Sequence, residues 1–163
     1  MSYVVIKGGK ELYDFLQQLP VKLEKNAMRS ALRAGAKVIA DEAKANVPVK
    51  DGDLRDSIRV STRAKKGQVT ASAKAGNKKA FYWHFVEFGT AAHTIKAKNG
   101  KSLFFNGSNV RSVKHPGARA KPFMRPAIDS KSTEAIRAVG TQIGKRLNKL
   151  GLNAPDISVG EDE

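Results

Sequence analysis

Thirty Lys and Arg against fifteen Asp and Glu give this 163-residue chain a formal charge of +15, and it contains no cysteine. Its length fits one ordinary domain. The absence of cysteine excludes disulfide frameworks, thiol nucleophiles and thiolate zinc sites, and the charge points to a polyanion or an acidic protein surface as partner. No apolar run approaches the ~18–20 residues of a membrane span, and the start MSYVVIKGGKELYDF lacks the apolar stretch of a secretory signal. The expectation is a soluble protein made and used in a cytoplasm.

Along the chain, Leu12, Phe15, Leu16 and Leu19 stand at helical spacing, with Pro20 as the stop. A longer helix is predicted from Val21 to Asn46. Its apolar stripe is Leu23, Ala27, Met28, Ala31, Leu32, Val38, Ile39 and Ala43, and Gly35 marks a close contact with another element. Asn46-Val47-Pro48 ends it, because the residue before proline disfavours helix. The period then changes to two. Ile58, Val60 and Thr62 read as the buried side of one strand and Val69, Ala71 and Ala73 as that of a second, with Lys65-Lys66-Gly67 as the turn. Phe81–Phe88, rich in aromatic and β-branched residues, reads as a third and central strand.

Next, Thr94-Ile95-Lys96 and Leu103-Phe104-Phe105 are expected to pair across Asn99-Gly100, a strong hairpin signal. From Asn106 to Lys121 the glycines, Pro116 and the cations suggest an extended mobile loop. A last helix is predicted from about Pro126 to residue 150, with Gly140 and Gly144 marking a second close contact. The expected fold class is α+β: a small antiparallel sheet packed by a long N-terminal-half helix and a C-terminal helix, with an inserted basic hairpin and loop arm. Residues 1–150 form the single domain in this reading, 91–121 the basic excursion, and 151–163 an acidic, disordered tail. Residues 91–126 carry +8 with no acid among them, about half of the net charge, while 151–163 carries −4.

Little in the chain points to catalysis. Gly8-Gly9-Lys10 lacks the spacing and the Ser or Thr of a phosphate-binding loop, and no cofactor motif appears. On a strand, His84 and Glu87 would lie on opposite faces and could not act as a pair. Asp51, Asp53 and Asp56 alternate with Lys50, Arg55 and Arg59, which fits a salt-bridged turn and helix cap better than a cation loop. Nucleic-acid binding is the serious alternative: Lys96, Lys98, Lys101, Arg111, Lys114, Arg119 and Lys121 accompany Phe104 and Phe105, so charge and an aromatic platform coexist. In the plainer reading the phenylalanines pack on the core or on a neighbour and the lysines face water.

Three stretches carry a resemblance. Pro48 to Ile58 reads P-x-x-x-G-x-L-x-x-S-I, with Gly52, Leu54, Ser57 and Ile58 as its fixed positions. Phe85-Val86-Glu87-Phe88-Gly89-Thr90 follows, and His115-Pro116-Gly117 then leads to Lys121-Pro122-Phe123-Met124-Arg125-Pro126-Ala127. In this order they resemble the tail-completion or neck proteins (head–tail joining or minor tail proteins) of long-tailed, siphovirus-type phages and prophages, over about residues 10–150. The resemblance implies a non-catalytic virion-assembly protein at the head–tail junction, passing through the host cytoplasm during assembly. It also implies a self-assembled ring, with a hexamer as one closure to test, and as partners the head connector and the tail tube or terminator, with packaged DNA nearby.

Under that resemblance Gly52 and Gly89 suit tight turns, and Pro122 and Pro126 flank Phe123 as a core anchor for the last helix. Glu87, between Val86 and Phe88, takes an Arg or Lys of its own or a neighbouring subunit if buried, and is otherwise an exposed strand glutamate. The residues expected to meet partners are the seven cations of the excursion with Phe104, Phe105 and His115.

Overall fold

The computed structural model describes residues 4–7, 9–17, 21–65, 68–98, 101–152 and 158–161. Strand β1 (Val4–Lys7) precedes α1 (Gly9–Gln17) and the long α2 (Val21–Asn46), whose bounds are those expected from its periodicity. A short α3 (Asp53–Ser57) leads into β2 (Arg59–Lys65) and β3 (Gln68–Lys74). Then come α4 (Trp83–Phe88), four short strands, β4 (His93–Lys96), β5 (Leu103–Phe105), β6 (Ser108–Val110) and β7 (Ser112–His115), and the second long helix α5 (Met124–Asn148), followed by β8 (Ser158–Glu161). The fold is α+β, with small antiparallel two-stranded sheets flanked by long helices. Leu19, Pro20, the Lys66-Gly67 turn and Asn99-Gly100 lie outside the described residues.

The frame is α2 against α5, running antiparallel. Ser30 Oγ accepts from Gln142 Nε2 (2.8 Å) at one end, and Ala43 and Val47 share a core with Phe123 and Ala127 at the other. Small residues make the close approach possible: Ala27, Ala31, Ala40 and Ala43 of α2 and Ala127 and Ala135 of α5 are buried. A Cβ on Gly35 would stand 2.7 Å from Val139 Cγ2 and 2.9 Å from the Ala135 carbonyl, so the expected close contact is there and α5 supplies it. Gly144 differs from expectation, with no atom within 4 Å of a Cβ built on it. The tight crossing of the helix pair is at Gly35.

The β2–β3 hairpin covers α2 in the register its alternation predicts. Val60 pairs with Ala73, Thr62 with Ala71 and Ala64 with Val69, and Val60 and Ala73 pack on the core. Ser57, buried at the end of α3, donates from Oγ to the Leu54 carbonyl (2.7 Å) and accepts from the Gly76 N–H (2.9 Å). Arg59 Nη1 adds a bond to the Gly76 carbonyl (2.6 Å). Leu54, Ser57 and Ile58 thus act as a unit: two fill the core and the serine ties α3 to the end of β3.

The third strand expected over Phe81–Phe88 is instead the helix α4. Local chemistry overrides the strand-like composition. Asn77 Oδ1 accepts from the Lys79 and Ala80 N–H groups (2.8 Å each), turning the chain after β3. Gly76, at φ +93, leaves room for Trp83, whose Cδ1 would lie 2.2 Å from a Cβ there. Gly89, at φ +72, ends the helix.

Glu87 points inward from α4 and is only 6% exposed. Its partner is no Arg or Lys. Oε2 accepts from the N–H groups of Phe123 (2.8 Å) and Met124 (3.0 Å), and Oε1 from that of Arg125 (3.2 Å). These are the cap and first positions of α5, and the next residue, Pro126, has no N–H to satisfy. One carboxylate therefore serves every orphan donor at that helix end and places a full negative charge at the positive end of the helix dipole. Phe123 is completely buried beside it, as expected of the anchor.

At the other end of the chain, Ser158–Glu161 of the acidic tail, read from composition as disordered, pairs antiparallel with Val4–Lys7.

Hydrogen bonds to a charged acceptor contribute ~1.5–3 kcal/mol each before non-additivity. Replacing Glu87 with Ala should cost about 3 kcal/mol of unfolding free energy in urea denaturation, and Glu87→Gln about half of that. An Ala variant within 0.5 kcal/mol of wild type would show that water serves the helix end equally well.

Candidate functional site

The basic excursion grows from a narrow, well-fastened base. Thr90 and Ala118 exchange backbone hydrogen bonds (2.9 and 3.1 Å), Thr90 Oγ1 accepts again from the Ala118 N–H (2.9 Å), and the Lys121 N–H reaches the Val86 carbonyl (2.8 Å). Two glycines allow this approach. A Cβ on Gly89 would meet the Ala118 carbonyl at 2.6 Å, and one on Gly117, at φ +91, the Thr90 carbonyl at 2.3 Å. The Glu87-Phe88-Gly89-Thr90 and His115-Pro116-Gly117 elements are thus the two sides of one joint.

Beyond the joint the strands do not pair as the Asn99-Gly100 signal suggests. β4 pairs with β7, and β5 pairs with β6. The tight turn is Asn106-Gly107, with φ of +48 and +78, the two positive values a two-residue hairpin loop needs. What reads as a mobile loop after Asn106 is therefore the returning half of a ribbon. It was hidden because β6 and β7 are three and four residues long, with little apolar alternation.

The register sorts the candidate residues by face. Lys96 and Lys114 share one face of β4–β7 with Thr94 and Ser112, while Ile95, Val113 and the cross-strand pair His93 and His115 share the other. The two imidazole centroids stand 5.0 Å apart. His93 Nδ1 donates to the Ala91 carbonyl (2.9 Å), whereas His115 Nδ1 accepts from the Gly117 N–H (3.0 Å), so Nδ1 carries a proton in His93 and none in His115. At the tip, Phe104 and Phe105 are 77% and 51% exposed. As neighbours in a strand they project to opposite faces, so they do not form one aromatic platform. Lys98, Lys101, Arg111, Arg119 and Lys121 are exposed.

His84 and Glu87, one helical turn apart instead of on opposite strand faces, have separate surroundings. His84 is exposed and lies against the Phe85 ring, 4.0 Å between centroids, while Glu87 faces α5. The acidic turn also differs from expectation in part. Gly52 caps α3 without a side-chain bond, and the ion pair there is Arg55–Asp56 (3.6 Å) at the surface. Among the described residues no three His, Cys, Asp or Glu side chains converge as metal ligands.

Sequence reasoning missed one feature, a groove of about 580 Å³ beside the joint. The turn after α2, α3, the outer face of α4 and the returning segment 118–121 form it. Val49 and Phe85, 55% and 46% exposed, line its floor, and Lys50, Arg55, Arg119 and Lys121 its rim. A signal was present in the apolar Val49 within a polar turn, but its partners lie 33 to 72 positions further along the chain.

Because the joint needs φ values that only glycine adopts easily, Gly117→Ala should open it while leaving the helices in place. Amide exchange at Thr90 and Ala118 should quicken by about tenfold or more, a loss of ~1–3 kcal/mol of local stability, with the α2 and α5 amides unchanged.

Comparison with known proteins places the body of the chain. Residues 10–89 match the family model HK97-gp10_like, described as "Bacteriophage HK97-gp10, putative tail-component". No curated protein and no solved structure matches the chain. The matched segment runs from α1 through α4 to Gly89, ending where the arm begins. Residues 10–89 belong to the HK97-gp10-like family of tailed-phage tail components.

Proposed function

We propose that this structural tail component works at the head–tail junction as a subunit of a ring that completes the tail and helps join it to the head. Its family makes it a non-catalytic part of a tailed phage that meets other head or tail components. The observation that carries the finer reading is the arm. The body fastens residues 91–117 at the Thr90–Ala118 bridge, and beyond it a ribbon with a basic face and exposed phenylalanines adds no residue to the core. Short ribbons of this kind are marginal alone, so their apolar tips gain most from burial against a neighbour.

In this reading Lys96, Lys98, Lys101, Arg111 and Lys114 steer the approach of an acidic partner surface. Phe104 and Phe105 supply buried area on two sides, and His115 holds the base. The connector and the tail terminator are the partners to test first, and a hexamer the first ring size. Residues 1–150 act as one body.

Replacing residues 97–111 with a short Gly-Asn turn that closes β4 on β7 tests the arm. The variant should keep the wild-type melting temperature within about 3 °C, since a few lost exposed contacts cost ~0.5 kcal/mol or less. In complementation of a phage lacking the gene, it should leave heads and tails unjoined. Normal virion yield would remove the arm from the junction.

The alternative reading, nucleic-acid binding, rests on the same cations. If they served DNA, neutralising six or more phosphates, affinity for random duplex should fall ~10³-fold or more between 50 and 200 mM salt. The junction reading expects duplex binding weaker than micromolar at physiological salt. Tighter binding that survives there would favour packaged DNA as the arm's partner.

A further inference from the structure

The groove beside the arm's joint has an unused backbone edge. Ala118 turns both its N–H and its C=O to Thr90. The next residue, Arg119, is exposed, and the Lys121 N–H beyond it is taken by the Val86 carbonyl. Among the described residues neither the N–H nor the C=O of Arg119 has a hydrogen-bond partner. An exposed residue with both backbone groups unpaired, bordering exposed apolar side chains, is a place where a further strand can add. Four cations and the single carboxylate of Asp51 line the groove, so the added strand should be acidic.

The chain carries such a strand. Residues 153–163 contain Asp156, Glu161, Asp162 and Glu163 and no base, and Ile157 and Val159 alternate with polar residues or glycine between them. They cannot readily serve the groove of their own molecule. Leu152 packs with Ala31, Ile143 and Leu147 at one end of the helix pair, and the groove lies at the other, beside Pro48 and Val86. At 1.5 Å per residue the 25 residues of α5 separate these ends by ~37 Å. Eleven residues reach ~36 Å only when fully extended.

We propose that the groove receives the acidic segment 153–163 of a second copy, added as a strand along Arg119 with its apolar side chains on Val49 and Phe85. Donor and receiver then stand at opposite ends of each subunit. The contact is heterologous and runs head to tail, the type that closes into a ring when the rotation permits. Ser158–Glu161 pairs with Val4–Lys7 within one chain, and a two-stranded ribbon of four residues a side is marginal alone, so assembly exchanges one short pairing for another. The assignment rests on the reading of the chain as a ring subunit and names the contact that would build the ring. A duplex is tested by the salt series above. A single strand is not, and its test is included below.

The test titrates a fluorescein-labelled peptide of residues 153–163 with the full chain and follows anisotropy. Saturable binding is expected. Arg119→Glu with Lys121→Glu should weaken it at least about tenfold, since opposing like charges cost several kcal/mol. A peptide with Ile157 and Val159 replaced by Ser should weaken it similarly, and a four-phosphate single-stranded oligonucleotide should not displace the peptide. Circular dichroism of the double variant, which changes only exposed side chains, should match wild type. The proposal is overturned by absent saturation, by unchanged affinity in the folded double variant, or by displacement at equal oligonucleotide concentration, which would make the groove a single-strand site. The titration needs no virion. Its failure would remove the groove contact while incorporation of the wild-type chain into particles continued to test the junction role.

Discussion

A carboxylate buried inside a protein must be given donors, and in this chain that requirement fixes the relation of its two halves. Glu87 leaves α4 inside the family-matched segment and is satisfied by three N–H groups of α5, 36 to 38 positions later. The need is mutual, because the helix end at the fully buried Phe123 has orphan donors that must be satisfied from within the fold. Everything between Gly89 and Lys121 hangs from that clamp. The excursion can be long, polar and thinly packed without loosening the body, since the chain is held on both sides of it by bonds that do not involve it.

The clamp also relates the family match to the fold. The match ends at Gly89, yet the core formed by Ala40, Ala43, Val47, Leu54 and Ile58 is closed by Phe123 and Ala127, which lie outside it. The matched segment does not bury its own apolar face without α5. The return of the chain after the arm is thus part of the same body, and the Lys121-Pro122-Phe123 element belongs physically with Glu87. Pro126 fits the same logic: at the position after three satisfied donors, a residue without an N–H leaves nothing unpaired.

Legibility followed whether a residue's environment was local. α2 could be read to its bounds because its periodicity and the Val47-Pro48 stop are contained in the segment, and the β2–β3 register because alternation alone determines it. Phe123 could be read as an anchor from its two prolines. α4 could not. Its aromatic and β-branched residues favour a strand, and what makes it helical is the Asn77 turn before it and Gly89 after it, with Glu87 reaching a helix end far along the chain. The hairpin turn is non-local in the same way: the sequence holds two Asn-Gly pairs, and only the β4–β7 pairing across the whole arm distinguishes them. The partners of Glu87 are backbone N–H groups, which carry no letter in a sequence.

The charge of +15 gains meaning from this arrangement. Spread evenly, it would describe a general polyanion binder. Instead its densest part lies on an element with no core, beyond a joint built from glycines, while the clamped body carries an apolar groove with a cationic rim beside the same joint. Two exposed surfaces, a basic ribbon and a cation-rimmed groove, therefore share one joint. A partner engaging the arm would bear on the 118–121 segment that forms one wall of the groove, and a strand added along Arg119 would in turn stiffen the arm's base. Were both surfaces engaged, their binding would be coupled through the Thr90–Ala118 bridge. That would favour assembly in sequence: a copy already seated by its groove would present a better-ordered arm to whatever it meets next.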